Sequence, residues 1–264
     1  LLAVAMMLQM LPMLAFADDA PGTGETYKAW IGDQGYTSLV DAVNAAKKGT
    51  TTTITLGEGE YDLYKKISEN ELAGKELTFV GKGADKTIWN IGYAIDQPKA
   101  EDGDYDLGGA EKVTFEKMTL QCGTGDYHGF VRIHNTVVKD CVINGKTFYW
   151  GYTSAVFTDT TFYAPPFDYA IWTYSSPAME FDNCTFNTTG KAVNVYTDYS
   201  AGKHDIRVYF NNCTVNSSFS LGKQALTIND SNMRPYKYII YINNIDINDP
   251  QTSEPDLDKT TCSR

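Results

Sequence analysis

Basic residues are scarce in this chain of 264 residues. Lysine and arginine number 22 against 33 aspartates and glutamates, and the formal net charge is −11. A surface that binds nucleic acid needs lysine and arginine to neutralise phosphates, so this balance argues against a nucleic-acid partner. The chain has only 3 histidines, and it contains no Cys-x-x-Cys pair or Cys/His spacing of a zinc site.

Long apolar runs are missing after the first seventeen residues. The apolar run at 1–14 is followed by Ala15-Phe16-Ala17, with small residues at the −3 and −1 positions of a signal-peptidase site. We interpret 1–17 as a signal peptide that lacks its initiator methionine and basic start. It is too short for a convincing membrane span. The mature protein is therefore expected to be secreted or displayed on the cell surface, with no membrane span.

Tight hairpin signals are also rare, because Asn-Gly occurs only at 144–145. An antiparallel sandwich should repeat such turns, so their scarcity argues against it. Instead, a six-residue pattern recurs with starts 19 to 32 residues apart. Its third place is polar and its fourth is small or apolar. The copies are FEKMTL (115–120), VKDCVI (138–143), FTDTTF (157–162), FDNCTF (181–186), FNNCTV (210–215) and INNIDI (242–247).

The repeats predict an all-β fold, a right-handed parallel β-helix. A further short strand lies between neighbouring copies, at 130–135, 148–152, 170–174, 192–196 and 225–229. Units of this length with two or three short strands suit stacked coils. Ser38 with Asp41 resembles a capping box, and Gly49 is a stop signal, so we expect a short helix over 38–48 that covers the first coil.

The boundaries follow from this pattern. We assign 18–27 to a linker, 28–250 to the β-helix domain and 251–264 to a polar tail whose continuation is open. Cys141, Cys184 and Cys213 hold equivalent inward places in different coils. We expect them to be free, buried thiols rather than disulfides. On this basis, replacing Cys184 with serine should cost about 1–3 kcal/mol through an unsatisfied hydroxyl.

Two stretches carry a resemblance to known families. IGDQGYTSLVDAVNAAKKG (31–49), followed by ITL (54–56), resembles the opening unit of exported surface proteins of Gram-positive, gut-type bacteria. LTFVGKGADKTIWN (77–90) and the repeated F-x-N-C-T-F resemble right-handed β-helix proteins of the pectin-lyase-like superfamily. The resemblance implies a secreted or cell-surface setting, and the coil repeat indicates fold much more than activity.

The superfamily includes polysaccharide lyases, hydrolases and esterases, so catalytic motifs matter. The paired-aspartate and Gly-His-Gly blocks of polygalacturonases are missing, and so is the esterase pattern. The weak catalytic candidates are His128, Arg132 and His134, because Val131 and Ile133 are expected to point inward and their neighbours outward. A solvated cationic strand face explains the same residues.

A possible calcium loop occurs at 102–106. Asp102, Asp104 and Asp106 alternate as in a calcium-binding loop, but Leu107 stands where an EF-hand has glycine, and no glutamate closes the loop. The alternative is a solvated polar loop. No other cofactor is predicted.

The last constellation is an aromatic and polar strip along the outward places of the second-strand set. Its expected ligand-binding members are Arg132, Trp150 (or Tyr149), Trp172, Tyr174, Asn194 and Tyr196. Aromatic faces next to amides suit sugar rings. The other interpretation is a satellite core covered by the loops at 161–169 and 197–205.

Three function classes follow from these features. The first is a non-catalytic, adhesin-like module that binds a glycan or host ligand through the strip. The second is a polysaccharide lyase or glycoside hydrolase that uses the His/Arg group. The third is a structural spacer of a larger surface protein. We favour the first class; the sequence does not give the ligand or the oligomeric state.

Overall fold

The computed structural model describes residues 26–96, 106–122, 129–164, 169–174, 178–188, 191–197, 205–217, 226–230, 238–248 and 261–263. Its first elements are β1 (Ala29–Ile31), β2 (Gln34–Tyr36), α1 (Leu39–Ala45), β3 (Thr51–Leu56), β4 (Gly59–Tyr61), α2 (Glu69–Leu72), β5 (Glu76–Val80) and β6 (Thr87–Asn90). The predicted signal peptide and most of the predicted linker lie outside the described residues.

Short strands follow, and two longer ones come near the end. They are β7 (Lys112–Glu116), β8 (Thr119–Gln121), β9 (Gly129–Val131), β10 (Asn135–Lys139), β11 (Val142–Asn144), β12 (Thr147–Trp150), β13 (Ser154–Thr158), β14 (Thr161–Tyr163), β15 (Tyr169–Tyr174), β16 (Ala178–Asp182), β17 (Thr185–Thr188), β18 (Lys191–Thr197), β19 (Ile206–Ser217), β20 (Leu226–Asp230), β21 (Tyr238–Asn248) and β22 (Thr261–Ser263).

From β3 onward the strands stack in parallel in three rows, whereas β1 pairs antiparallel with both β2 and β3. The first row runs β3-β5-β7-β10-β13-β16-β19, and the second runs β4-β6-β8-β11-β14-β17-β19. These two rows form one sheet because the long β19 pairs with both, and β21 extends it. The third row is a separate sheet of β9-β12-β15-β18-β20-β22. From β7 to β15, each strand pairs with the strand three places further along the chain. The protein is thus mostly β, with parallel strands in long sheets.

The polar third place of each repeat makes the corner between the first and second rows. There the backbone turns through a single residue with positive φ, at Lys117, Asp140, Asp159, Asn183, Asn212 and Asn244. Asparagine and aspartate adopt this left-handed conformation more readily than other residues with a side chain. Side-chain amides link neighbouring corners: Asn183 Nδ2 donates to Asp159 Oδ1 at 2.6 Å. The predicted corner is confirmed.

The fourth place of each repeat points into the core. Cys141, Cys184 and Cys213 are buried and free, as the sequence predicts. Phenylalanines of successive units stack beside them: the Phe157 and Phe181 ring centroids lie 5.2 Å apart, and Phe181 and Phe210 lie 5.3 Å apart. Burying such a side chain stabilises the fold by roughly 1.5–3 kcal/mol. The same side chains therefore fill the interior and fix the stacking register.

The amino-terminal helix is shorter than predicted. Ser38 is its N-cap and accepts from the Asp41 backbone N–H at 3.1 Å, but the helix ends at Ala45 because Ala46 is extended. Its apolar side packs into the core. Lys75 is buried below it and donates from Nζ to Val43 O at 2.7 Å, so a cation occupies the carbonyl end of the helix. Among the described residues, no helix is long and apolar enough to cross a membrane.

Candidate functional site

The third row carries the predicted aromatic strip, with a corrected assignment of faces. Phe130, Tyr149 and Thr173 are aligned in register and fully buried. Phe130 and Tyr149 belong to the central core, whereas Val131 does not. The expectation that Val131 points into the core and Tyr149 can point outward is therefore wrong. Side chains alternate along a strand, so the opposite face carries Phe148 and, in register with it, Trp172.

Trp172 is held edge-on by two aromatic neighbours. Its ring centroid lies 5.4 Å from Phe148 at an interplanar angle of 84°, and 5.5 Å from Tyr169 at 72°. Both are edge-to-face geometries, which aromatic quadrupoles favour. Lys146 Nζ lies 4.9 Å from the Tyr169 ring, a cation–π distance. Trp172 is half-buried. Its indole is thus fixed in orientation, with the ring nitrogen Nε1 buried and the residue as a whole still partly exposed.

The strip is closed to solvent on either side of Trp172. Phe148 keeps only 2% of its surface exposed, and Asn194, in register with Trp172 on the next strand, keeps 7%. This burial favours the covered alternative at those two places. Trp150, Tyr174 and Tyr196 occupy positions in strands of this row, and Tyr174 pairs with Tyr196. Their side chains are outside the described part of the molecule.

Arg132 is not part of the strip. β9 ends at Val131, and Arg132 takes a left-handed conformation with φ of 59°. Its guanidinium Nη1 lies 3.0 Å from Glu69 Oε1, at the start of α2. Both side chains are more than a third exposed, so the ion pair adds little stability. The sequence could not reveal this partner, which is 63 residues away.

The histidine candidates are only partly described. The His134 ring lies against the exposed Tyr152 ring, with centroids 4.9 Å apart and an interplanar angle of 53°, and the His134 backbone N–H donates to Ala110 O. His128 lies outside the described residues. The structure therefore brings Arg132 to Glu69 and His134 to Tyr152, and gives no geometry in which the two act together on a substrate.

Asp106 is a buried carboxyl rather than a solvated loop residue. It is 2% exposed and accepts from Trp89 Nε1 at 3.1 Å. Burial raises its pKa to about 7, and hydrogen bonds from Trp89 and from backbone N–H groups oppose this only in part. Asp102 and Asp104 fall outside the described residues. Among the residues that are described, no three His, Cys, Asp or Glu side chains come together to hold a metal.

Cys122 and Cys141 are unsuited to nucleophilic chemistry. Burial raises the pKa of both Cys122 and Cys141 to about 12, so their thiols stay protonated at neutral pH. Cys184 Sγ donates to Phe157 O at 3.3 Å, and Cys213 Sγ donates to Phe181 O at 3.4 Å. Their role is to fill and satisfy the corner.

Comparison with protein-family models, with curated proteins and with solved structures finds no match to this chain.

Sequence reasoning missed one surface, the outward side of the second row. The signal was present in the repeats, since the last two copies with cysteine continue as Thr-Phe-Asn (185–187) and Thr-Val-Asn (214–216).

Proposed function

We propose that the chain is a right-handed parallel β-helix whose first coil is capped by α1. The pairing of each strand from β7 to β15 with the strand three places on supports this architecture, because successive turns of a three-sided coil pair in this way. The buried Leu39, Ala42 and Val43 of α1 support the capping role, since they cover apolar side chains at the amino-terminal end.

The proposed setting is the cell surface or the extracellular space, and the proposed family is the pectin-lyase-like superfamily, which the repeats resemble. The apolar start with its Ala-Phe-Ala site supports export, and the Ile-Gly-Asp opening unit supports the surface setting. Free cysteines are compatible with this setting because each described thiol is buried in the core, where oxidants have little access.

The function is non-catalytic binding of a glycan, as in an adhesin. The observation that carries it is the half-buried indole of Trp172, oriented by Phe148 and Tyr169. An indole fixed in advance offers a flat apolar face to a sugar ring at little entropic cost. The pairing of Arg132 with Glu69 favours binding over lyase or hydrolase chemistry. Of the three catalytic candidates, only Arg132 is always charged, and its guanidinium is already bound to a carboxylate.

A glycan array with the purified chain tests this function, using Trp172→Ala and Trp172→Phe. Aromatic anchors dominate many interfaces, so alanine should weaken binding about tenfold or more, and phenylalanine less. Tyr152→Ala is the matched control, because Tyr152 is exposed and belongs to a connection outside the strip. All binding is measured well below each variant's unfolding midpoint.

Three results would contradict the proposal. If Trp172→Ala is strongly destabilised and the wild type binds no glycan, the strip is a covered satellite core, and the result favours a structural spacer of a larger surface protein. If Tyr152→Ala loses as much affinity as Trp172→Ala, the indole is not the anchor. If the chain releases reducing sugar or an ultraviolet-absorbing unsaturated product from a polysaccharide panel, it is an enzyme.

A further inference from the structure

The outward side of the second row is a regular, two-file grid. Because Leu120, Ile143, Phe162, Phe186 and Val215 are buried in the core, the residues flanking each of them face away from it. One file is Thr119, Val142, Thr161, Thr185 and Thr214, and the other is Gln121, Asn144, Tyr163, Asn187 and Asn216. Thr119, at the end of its file, is buried and donates from Oγ1 to Ala84 O at 2.6 Å. We call this surface the Thr/Asn face.

The Thr/Asn face carries no charge. Its ten positions are hydroxyl, amide, aromatic or aliphatic side chains, in a chain where 21% of residues are charged. The neighbouring first row, built by the same units, carries charges on its outward side. These are Lys112, Glu116, Lys139, Glu180, Asp182 and Arg207. Charges return where the first file continues beyond these five strands, at Glu60 in β4 and at Asp246 in β21. Solvated sheet faces ordinarily carry such charges, so an uncharged stretch of five strands calls for a separate cause.

Hydrogen bonds along the strand stack align the amides of this face. Asn216 Nδ2 donates to Asn187 Oδ1 at 2.9 Å, and Asn144 Nδ2 donates to Gln121 Oε1 at 3.4 Å. Each bond fixes the orientation of its two amides, and Tyr163 lies between the two bonded pairs. The face presents ordered polar groups rather than freely rotating ones.

The geometry of the grid is that of a repeating polymer. Neighbouring strands lie about 4.8 Å apart, and two positions along a strand are separated by about 6.6 Å. Tyr163 stands in the middle of the amide file with 49% of its surface exposed, which offers one aromatic ring among the hydroxyls and amides. Hydroxyls, amides and one exposed ring are the groups that recognise a sugar chain.

We infer that the Thr/Asn face binds an extended, neutral polysaccharide that lies along the strand stack. This inference rests on the proposed function and adds a second face and a ligand class to it. The formal charge of −11 favours a neutral polysaccharide over an acidic one, because the chain would repel an acidic polymer. It also opposes a second copy of the chain, which would bring the same charge against this face.

The test is depletion of the full chain from solution by insoluble cellulose, chitin and xylan. The variant is Thr185→Lys, which places a cation in the middle of the face. The matched control is Thr158→Lys in β13, which is also a half-buried, outward threonine but belongs to the first row. At least one of these polymers should bind the wild type and the control alike, and should bind Thr185→Lys about tenfold more weakly. Sedimentation velocity of the wild type should give a monomer.

Each other outcome is decisive. If Thr185→Lys binds like the wild type while Trp172→Ala binds weakly, this inference fails and the proposed function stands. If no polymer or arrayed glycan binds the wild type, both fail. If the wild type is a dimer that Thr185→Lys dissociates, the face is a contact between copies and the polysaccharide is excluded. Equal losses in Thr185→Lys and Thr158→Lys would show a general charge effect and would also overturn the inference.

Discussion

Replacing Cys184 with threonine should leave the stability nearly unchanged, because the chain already uses a threonine at the equivalent corner. Thr160 Oγ1 donates to Thr158 O at 2.9 Å and approaches Val138 O at 3.5 Å. Cys184 Sγ makes the same two contacts one unit later, to Asp182 O at 3.5 Å and to Phe157 O at 3.3 Å. A hydroxyl at position 184 thus meets acceptors that suit it.

This geometry corrects the magnitude expected from the sequence. The expected cost of about 1–3 kcal/mol for Cys184→Ser requires a buried hydroxyl without a partner. With two carbonyl acceptors in place, we expect about 0.5 kcal/mol or less for threonine and up to about 1 kcal/mol for serine. Alanine removes the donor and leaves a small void, so it should cost about 1–2 kcal/mol.

Urea unfolding of the three Cys184 variants measures the order of their free energies of unfolding. The values are comparable only if the m-value is unchanged. Thr160→Cys is the reciprocal control and should also be nearly neutral, whereas Thr160→Val should cost about 1 kcal/mol because the donor is lost. If Cys184→Thr and Cys184→Ser are as damaging as Cys184→Ala, the equivalence of the corners is refuted, and the thiol has a role that a hydroxyl cannot take.

Two further predictions concern groups whose environment the structure defines. Asp106 has a folded-state pKa of about 7 against about 3.9 in an unfolded chain. The contribution of Asp106 to the free energy of unfolding is therefore fully present below about pH 4 and is lost as the pH rises through about 7. Asp106→Asn keeps an acceptor for Trp89 and should flatten urea-unfolding profiles between pH 4 and 8; a profile parallel to that of the wild type would contradict the burial of this carboxyl. Asn183 has φ of 52°, so Asn183→Val should be about 1–2 kcal/mol less stable than Asn183→Gly, since both lose the Asp159 bond but only valine strains the turn. Equal unfolding midpoints for the two variants would refute a left-handed corner.

The sequence predicts the interior of this protein well because packing leaves few choices there. A buried fourth place accepts only a small or apolar side chain, and a left-handed third place favours asparagine or aspartate. Both restrictions repeat with each unit, and hence the pattern from Phe115 to Ile242 is visible without a structure. Parallel pairing of successive units follows from that repetition.

The third row was harder to predict because its strands are short and covered on the outside as well. Val131 and Phe148 are almost as buried as the core residues beside them, so alternation of apolar and polar residues does not reveal which side faces inward. The position at which β9 ends decides which of its side chains face inward, and that position depends on the left-handed turn at Arg132. An arginine in this conformation has no reliable signal in a single sequence, unlike the asparagine and aspartate of the corners.

Outward residues are constrained differently from core residues, and this difference is the reason why the composition of the Thr/Asn face is informative about function. Packing dictates what a core position holds, whereas an outward position on a solvated sheet is free to vary and usually accumulates charge. The first row does so, from Lys112 to Arg207. The second row shares its turns, its register and its neighbours with the first, so the fold itself does not require threonine and asparagine there. Amide bonds between neighbouring strands stabilise the stack, but they do not require all ten positions to lack charge, and a neutral partner that repeats in the same direction accounts for that.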